Sequence, residues 1–170
     1  VSLGGPPSLA SFTTEIKIEA WVKRLSNQDG TIFSKNHPYY LGIQNNKVTG
    51  AVYVQDGGGW IYVYGTTDLE LNKWYHLSMN YDSNELRVYV DGIIDGSIPE
   101  NRQIYPSGPG VWMGWGDPGI NQYFHGIIDE VKIYNEASPP EEVCNDSIDN
   151  DCDGFIDCAD IECKDELYCI

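Results

Sequence analysis

Basic residues are scarce in this 170-residue chain. Ten Lys and Arg stand against 26 Asp and Glu, for a formal net charge of −16. A nucleic-acid partner needs basic patches to neutralise phosphate, so none is expected. Long apolar runs are also missing, and nothing approaches the roughly 20 residues a membrane-spanning helix requires. No insertion of this segment into a membrane is therefore expected. Val1 opens no signal-peptide pattern, so the sequence reads as a mature form or a fragment. No window shows convincing helical periodicity. Cysteine is absent from residues 1–143. All five cysteines, Cys144, Cys152, Cys158, Cys163 and Cys169, fall in the last 27 residues. That segment also carries nine acidic residues against one lysine, net −8, half the total charge in about a sixth of the chain. So sharp a break predicts two modules, with a boundary at Ser138-Pro139-Pro140-Glu141-Glu142, where prolines stop any strand.

What is present in the first module is strand. Glu15 to Lys23 alternates apolar and polar residues, with Ile16, Ile18, Ala20 and Val22 on one face. The pattern recurs in Thr31 to Lys35, Tyr39 to Gln44, Lys47 to Gln55, Trp60 to Thr66, Trp74 to Tyr81, Glu85 to Val90, Val111 to Trp115 and Ile127 to Tyr134. Asn45-Asn46, Asp56-Gly57-Gly58-Gly59, Asp82-Ser83-Asn84 and Asp91-Gly92 supply turn chemistry between them. The expected class is all-β: about ten short antiparallel strands in a two-sheet sandwich or jelly roll.

Three motifs narrow this. Phe12 to Lys23 looks like an early "FT-x-x-AWVK" strand. Trp74-Tyr75-His76-Leu77 to Tyr81-Asp82, followed by Leu86 to Gly92, resembles a "W-x-H … Y-D … L-x-x-Y-V-D-G" strand pair. Gly126 to Asn135 looks like a closing "G-x-I-D-E-V-R-I-Y-N" strand. Together, in this order, they resemble the laminin-G-like, concanavalin-A-like jelly-roll family over about residues 8–137. Two departures from the family pattern stand out. The usual "R-A-L-S" tail is replaced by Glu136-Ala137-Ser138-Pro139. The family's opening strand has no counterpart, which reads as truncation or as an edge completed by another chain. The resemblance implies a site rather than an activity, since such jelly rolls host sugar-binding modules, adhesive domains and a few hydrolases.

Related glucanases place two glutamates around an aspartate, E-x-D-x-E, on one strand. Here Glu15-Ile16-Lys17-Ile18-Glu19 puts Lys17 at the aspartate position. A lysine there would keep both carboxylates ionised, whereas hydrolysis needs one protonated acid. The stretch reads instead as a charged, solvent-facing strand edge, and the chain as non-catalytic. Aromatic residues carry the binding expectation. Trp60, Tyr62 and Tyr64 alternate onto one strand face, and with Tyr40 and Trp115 they are the candidate carbohydrate-binding residues. Asn45, Asn46, Gln55, Asp56 and Asn121 are candidate partners for sugar hydroxyls. Trp21 and Trp74 read as core residues.

The tail carries metal chemistry. Asp149-Asn150-Asp151-Cys152-Asp153-Gly154-Phe155-Ile156-Asp157-Cys158-Ala159-Asp160 fits the calcium loop of an EF-hand. The ligands would be Asp149, Asp151, Asp153, the carbonyl of Phe155, Asp157 and Asp160, with Gly154 at the turn and Ca²⁺ as the ion. Position 12 is Asp rather than Glu, which leaves Mg²⁺ open. The stretch also resembles a metal-binding repeat of secreted and surface proteins, C-x-D-x-x-D-N-D-x-D-G-x-x-D-C. No C-x-x-C occurs, against a zinc ribbon. Disulfides are the expected staple of so small a module, with pairing open among fifteen arrangements and one thiol left over. Asn145-Asp146-Ser147 is an N-glycosylation sequon.

The sequence thus predicts a jelly roll over residues 1–137, a Pro/Glu linker over 138–143 and a Cys/Asp-rich calcium module over 144–170. The expected role is an extracellular or cell-surface recognition and adhesion module that binds a glycan or a surface protein. The alternative is a structural subunit of a surface filament or layer, with a homo-oligomer or filament neighbour joined through an open sheet edge.

Overall fold

A computed structural model of the chain describes residues 13–35, 38–106, 110–115 and 123–135. The calcium loop, all five cysteines and Asn145 lie outside them. Ten strands are present: β1 (Ile16–Arg24), β2 (Gly30–Lys35), β3 (Tyr39–Gln44), β4 (Lys47–Val54), β5 (Gly59–Tyr64), β6 (Trp74–Tyr81), β7 (Glu85–Val90), β8 (Ile93–Pro99), β9 (Val111–Met113) and β10 (Gly126–Tyr134). Among the described residues there is no helix. The strands form two antiparallel five-stranded sheets, ordered β10-β1-β6-β7-β8 and β5-β4-β3-β2-β9.

The alternation read from the sequence sets the core. Ile16, Ile18, Ala20 and Val22 are fully buried, as are Leu77, Met79, Leu86 and Val88 from the same sheet. They meet Tyr39, Leu41, Ile43, Val48 and Val52 from the facing sheet. Hairpins close where the turn chemistry predicts. Asn45 and Asn46 both adopt positive φ in a two-residue turn, and so do Asp91 and Gly92.

Four expectations change. Ile93–Pro99, which the sequence reading leaves without an element, is edge strand β8. None of its residues is fully buried and Ile93 and Ile94 are both exposed, so it shows no buried period, and its Asp95-Gly96 looks like a turn. Strand β9 stops at Met113 rather than Trp115, because Gly114 takes φ +71 and turns the chain. Trp21 and Trp74 are not core residues. Trp21 alternates out of phase with the buried set and packs on His76, and Trp74 is exposed with the Lys23 ammonium over its ring. Glu19 is not at a solvent-facing edge either. It is 1% exposed, on β1, which lies between β10 and β6.

Strand side chains that reach into loops tie the layers together. Arg24 donates from Nη1 to the Leu69 carbonyl and from Nη2 to Asn46 Oδ1, each at 2.6 Å. The Asp95 carboxylate, on β8, accepts from the backbone N–H and hydroxyl groups of Thr66 and Thr67, just beyond β5.

Candidate functional site

The outward positions of the β5-β4-β3-β2-β9 sheet carry the aromatic residues. On β5, Ile61 and Val63 turn toward the core while Trp60, Tyr62 and Tyr64 turn out. Their rings form a continuous ladder: Trp60 to Tyr62 is 5.9 Å between centroids, and Tyr62 to Tyr64 is 6.1 Å with planes 14° apart. Tyr53 on β4 extends it, edge-on to Trp60 at 5.5 Å and to Tyr105 at 5.8 Å. Such pairs contribute about 0.5–1.5 kcal/mol each beyond area burial, so they fix one another's orientation. Tyr64 remains half exposed and Tyr62 over a third.

Tyr40 on β3 joins the same face, and its ring runs along the strand over Gly42. Burial pushes its phenol up to about 12, so the hydroxyl stays protonated across the physiological range. At the far side, Trp115 follows β9, stacks on Tyr123 at 6.1 Å and meets Trp112 edge-on at 6.3 Å. The five predicted aromatic residues therefore share one sheet face: Tyr40, Trp60, Tyr62 and Tyr64 from the β3 to β5 side, Trp115 from the β9 side.

The sequence reading missed Tyr105, whereas Tyr53, Trp112 and Tyr123 are further candidates it offered in or near loops. Of the polar residues it offered for sugar hydroxyls, the side chains of Asn46 and Gln55 are engaged elsewhere, while Asn45 and Asp56 sit in turns. Asn46 and Asn45 form the β3–β4 turn, Gln55 Nε2 donates to the Ile104 carbonyl, and Asp56 adopts φ +56 in the β4–β5 turn. Asn121 lies outside the described residues. Among the outward positions of these five strands Lys47 is the one charged residue. Its ammonium binds Asp68 at 3.1 Å and the Thr66 carbonyl.

The opposite sheet carries a polar cluster. The Glu19 carboxylate lies 3.1 Å from Lys17 Nζ and 3.8 Å from Lys132 Nζ, and accepts from the Tyr134 hydroxyl at 3.1 Å. His76 Nε2 is 3.9 Å away. Burial holds the His76 imidazole below its ordinary value, against the pull of Glu19. An extra residue in β10 opposite Ala20 shifts the register there, which brings Lys132 opposite Glu19 and Tyr134 opposite Lys17. The second glutamate of the predicted pair, Glu15, precedes the strand. Among the described residues no group of three or more His, Cys, Asp or Glu is placed to hold a metal, and no helix is long and apolar enough to cross a membrane.

Two antiparallel sheets, with an aromatic outer face on one of them, define a jelly-roll sandwich domain. The chain belongs to the laminin G-type family described as the concanavalin A-like lectin/glucanases superfamily, whose profile matches residues 2–144. No curated protein matches it. Its fold is similar to a putative carbohydrate-binding protein from Bacteroides ovatus, at TM-score 0.62 and 20% identity, over 78% of this chain and 40% of that one. It is also similar to domains LG4-5 of the mouse laminin alpha1 chain, at TM-score 0.58 and 18% identity, over 71% and 35%. A heptameric SAP-like pentraxin from Limulus polyphemus matches at TM-score 0.55 and 17% identity, over 74% and 65%. The chain thus spans less than two thirds of each of these proteins.

Proposed function

We propose that this chain is a non-catalytic, extracellular recognition module that binds carbohydrate on the aromatic face, and that its tail binds Ca²⁺. The aromatic ladder carries the reading. Sugar C–H faces stack on exposed aromatic rings, and Trp60, Tyr62 and Tyr64 are held in place by their neighbours before any ligand arrives. The Bacteroides ovatus neighbour, described as a putative carbohydrate-binding protein, supports the same direction. Glu19 supports a binding rather than a hydrolytic role. It lies between two lysines, and Glu15 lies off the strand, so no acid and nucleophile pair is arranged.

A glycan array tests the reading. Binding is expected, and Trp60→Ala or Trp115→Ala should weaken it at least tenfold while leaving thermal stability close to that of the parent. Retention of every hit in both variants rejects the aromatic face as the site. A second reading, assembly through a sheet edge, is favoured by edge strand β8, where Ile93 is 74% exposed. Under that reading calcium drives the chain into oligomers by light scattering and the array is blank.

The calcium module rests on loop spacing: five aspartates and one carbonyl in the order an EF-hand loop uses, with Gly154 at the turn. Disulfides among the tail cysteines would call for an oxidising compartment. Calorimetry should show Ca²⁺ uptake that Asp149→Ala abolishes.

A further inference from the structure

One row of outward positions crosses the aromatic sheet and alternates large with small. Trp112 pairs with Ser34, Ser34 with Tyr40, Tyr40 with Ala51, and Ala51 with Tyr62. Rings therefore occupy β9, β3 and β5, with small side chains on the strands between. Strands lie about 4.8 Å apart, so successive rings are spaced about 10 Å and the row spans about 19 Å.

Two of the three rings are laid down on the sheet, each over a glycine two residues away. A β-carbon on Gly42 would sit 2.0 Å from the Tyr40 hydroxyl oxygen, and one on Gly110 would sit 2.5 Å from the Trp112 ring. Each ring fills the space its glycine leaves open, which is a use of strand glycine beyond turn formation. Ala51 is fully buried and Ser34 nearly so, although both point out of the sandwich. The surface presented along this row is thus mainly ring. It is also uncharged, and the one outward cation on these strands, Lys47, is already paired.

We propose that this row is a binding track for an uncharged, linear, β-linked polysaccharide whose chain runs across the strands. The inference rests on the glycan reading above and specifies its ligand class. In an extended β-linked chain of pyranose rings every second unit turns the same face the same way. Three platforms on alternate strands meet three such units, whereas a single sugar covers one platform. A sulfated or sialylated chain would bring charge onto a face that, among the described residues, offers no uncommitted cation to receive it.

Isothermal titration of the 170-residue chain tests this, using cello-, xylo- and manno-oligosaccharides of one to about eight units and heparin oligosaccharides of matched length. Affinity for at least one neutral series should rise tenfold or more between two and about six units and then level off. Heparin fragments should bind at least tenfold more weakly. Tyr40→Ala should remove most of the rise while leaving the weak affinity for the shortest ligand within about twofold. Tyr62→Ala, at an exposed position on an edge strand, should flatten the rise in the same way and serves if Tyr40→Ala does not fold. Binding that is independent of length, or equal for heparin, but still lost in Trp60→Ala, overturns the track and leaves the glycan reading standing. Absence of binding across the neutral panel and the array rejects both.

Discussion

Glu130 adopts φ 48° within β10, where the extra residue opposite Ala20 is accommodated. The left-handed region costs an L-residue with a β-carbon about 1–2 kcal/mol, and glycine avoids that cost while losing more chain entropy on folding. Glu130→Gly should therefore stabilise the domain slightly, by up to about 1 kcal/mol in urea denaturation, provided the bulge is kept. His76 sets a pH dependence. Its imidazole is surrounded by Glu19, Lys17, Lys132 and Asp91, and burial holds it below the ordinary 6.5. Just below pH 6.5 the unfolded chain binds a proton that the folded chain resists, so stability falls as the pH drops through that window. His76→Gln should flatten this slope in denaturation curves taken below about pH 6.5. An unchanged slope would place the dependence elsewhere.

At the scale of elements, nine of the ten strands were legible because each of them, edge strands β5, β9 and β10 included, turns apolar residues to the core. Period-two alternation records that directly. It also placed Trp60, Tyr62 and Tyr64 together, because they belong to one strand. The same rule already put Trp21 out of phase with Ile16, Ile18, Ala20 and Val22, and a general preference for burying tryptophan overrode it wrongly. The row through Trp112, Tyr40 and Tyr62 was not legible, because β9 lies beside β2 and that adjacency is tertiary. The local hint was present as Tyr40-x-Gly42 and Gly110-x-Trp112. Turns were the most readable feature. The β7–β8 hairpin depends on Gly92, at φ +77 with open space around it, so the cost of a substitution is purely of backbone origin. Gly92→Ala should destabilise by about 1 kcal/mol, and Gly92→Asn by less, measured by thermal unfolding.

For the whole molecule, the charge of −16 divides into halves with different physical meanings. The half on residues 1–143 includes the charge of a sandwich whose aromatic face, among the described residues, carries almost none of it. The half on residues 144–170 is where a divalent cation would be held, and binding would remove two charges of self-repulsion. Added Ca²⁺ is therefore expected to raise the temperature of any unfolding transition that includes the tail, and Asp153→Ala to abolish the rise in scanning calorimetry.

The Asp95 carboxylate is also placed to carry load between the two sheets. A polymer lying across the strands and pulled along its length would draw β5 away from β4 in the direction of their hydrogen bonds, so the ladder would part bond by bond. Asp95 reaches from β8 to Thr66 and Thr67 just past the end of β5, so the tension is shared with the second sheet before the first ladder opens. Its hydrogen bonds to four donors of the two threonines would make this edge of the sandwich a mechanical clip. In single-molecule pulling through a tethered ligand, Asp95→Ala should lower the rupture force while the affinity at rest stays the same.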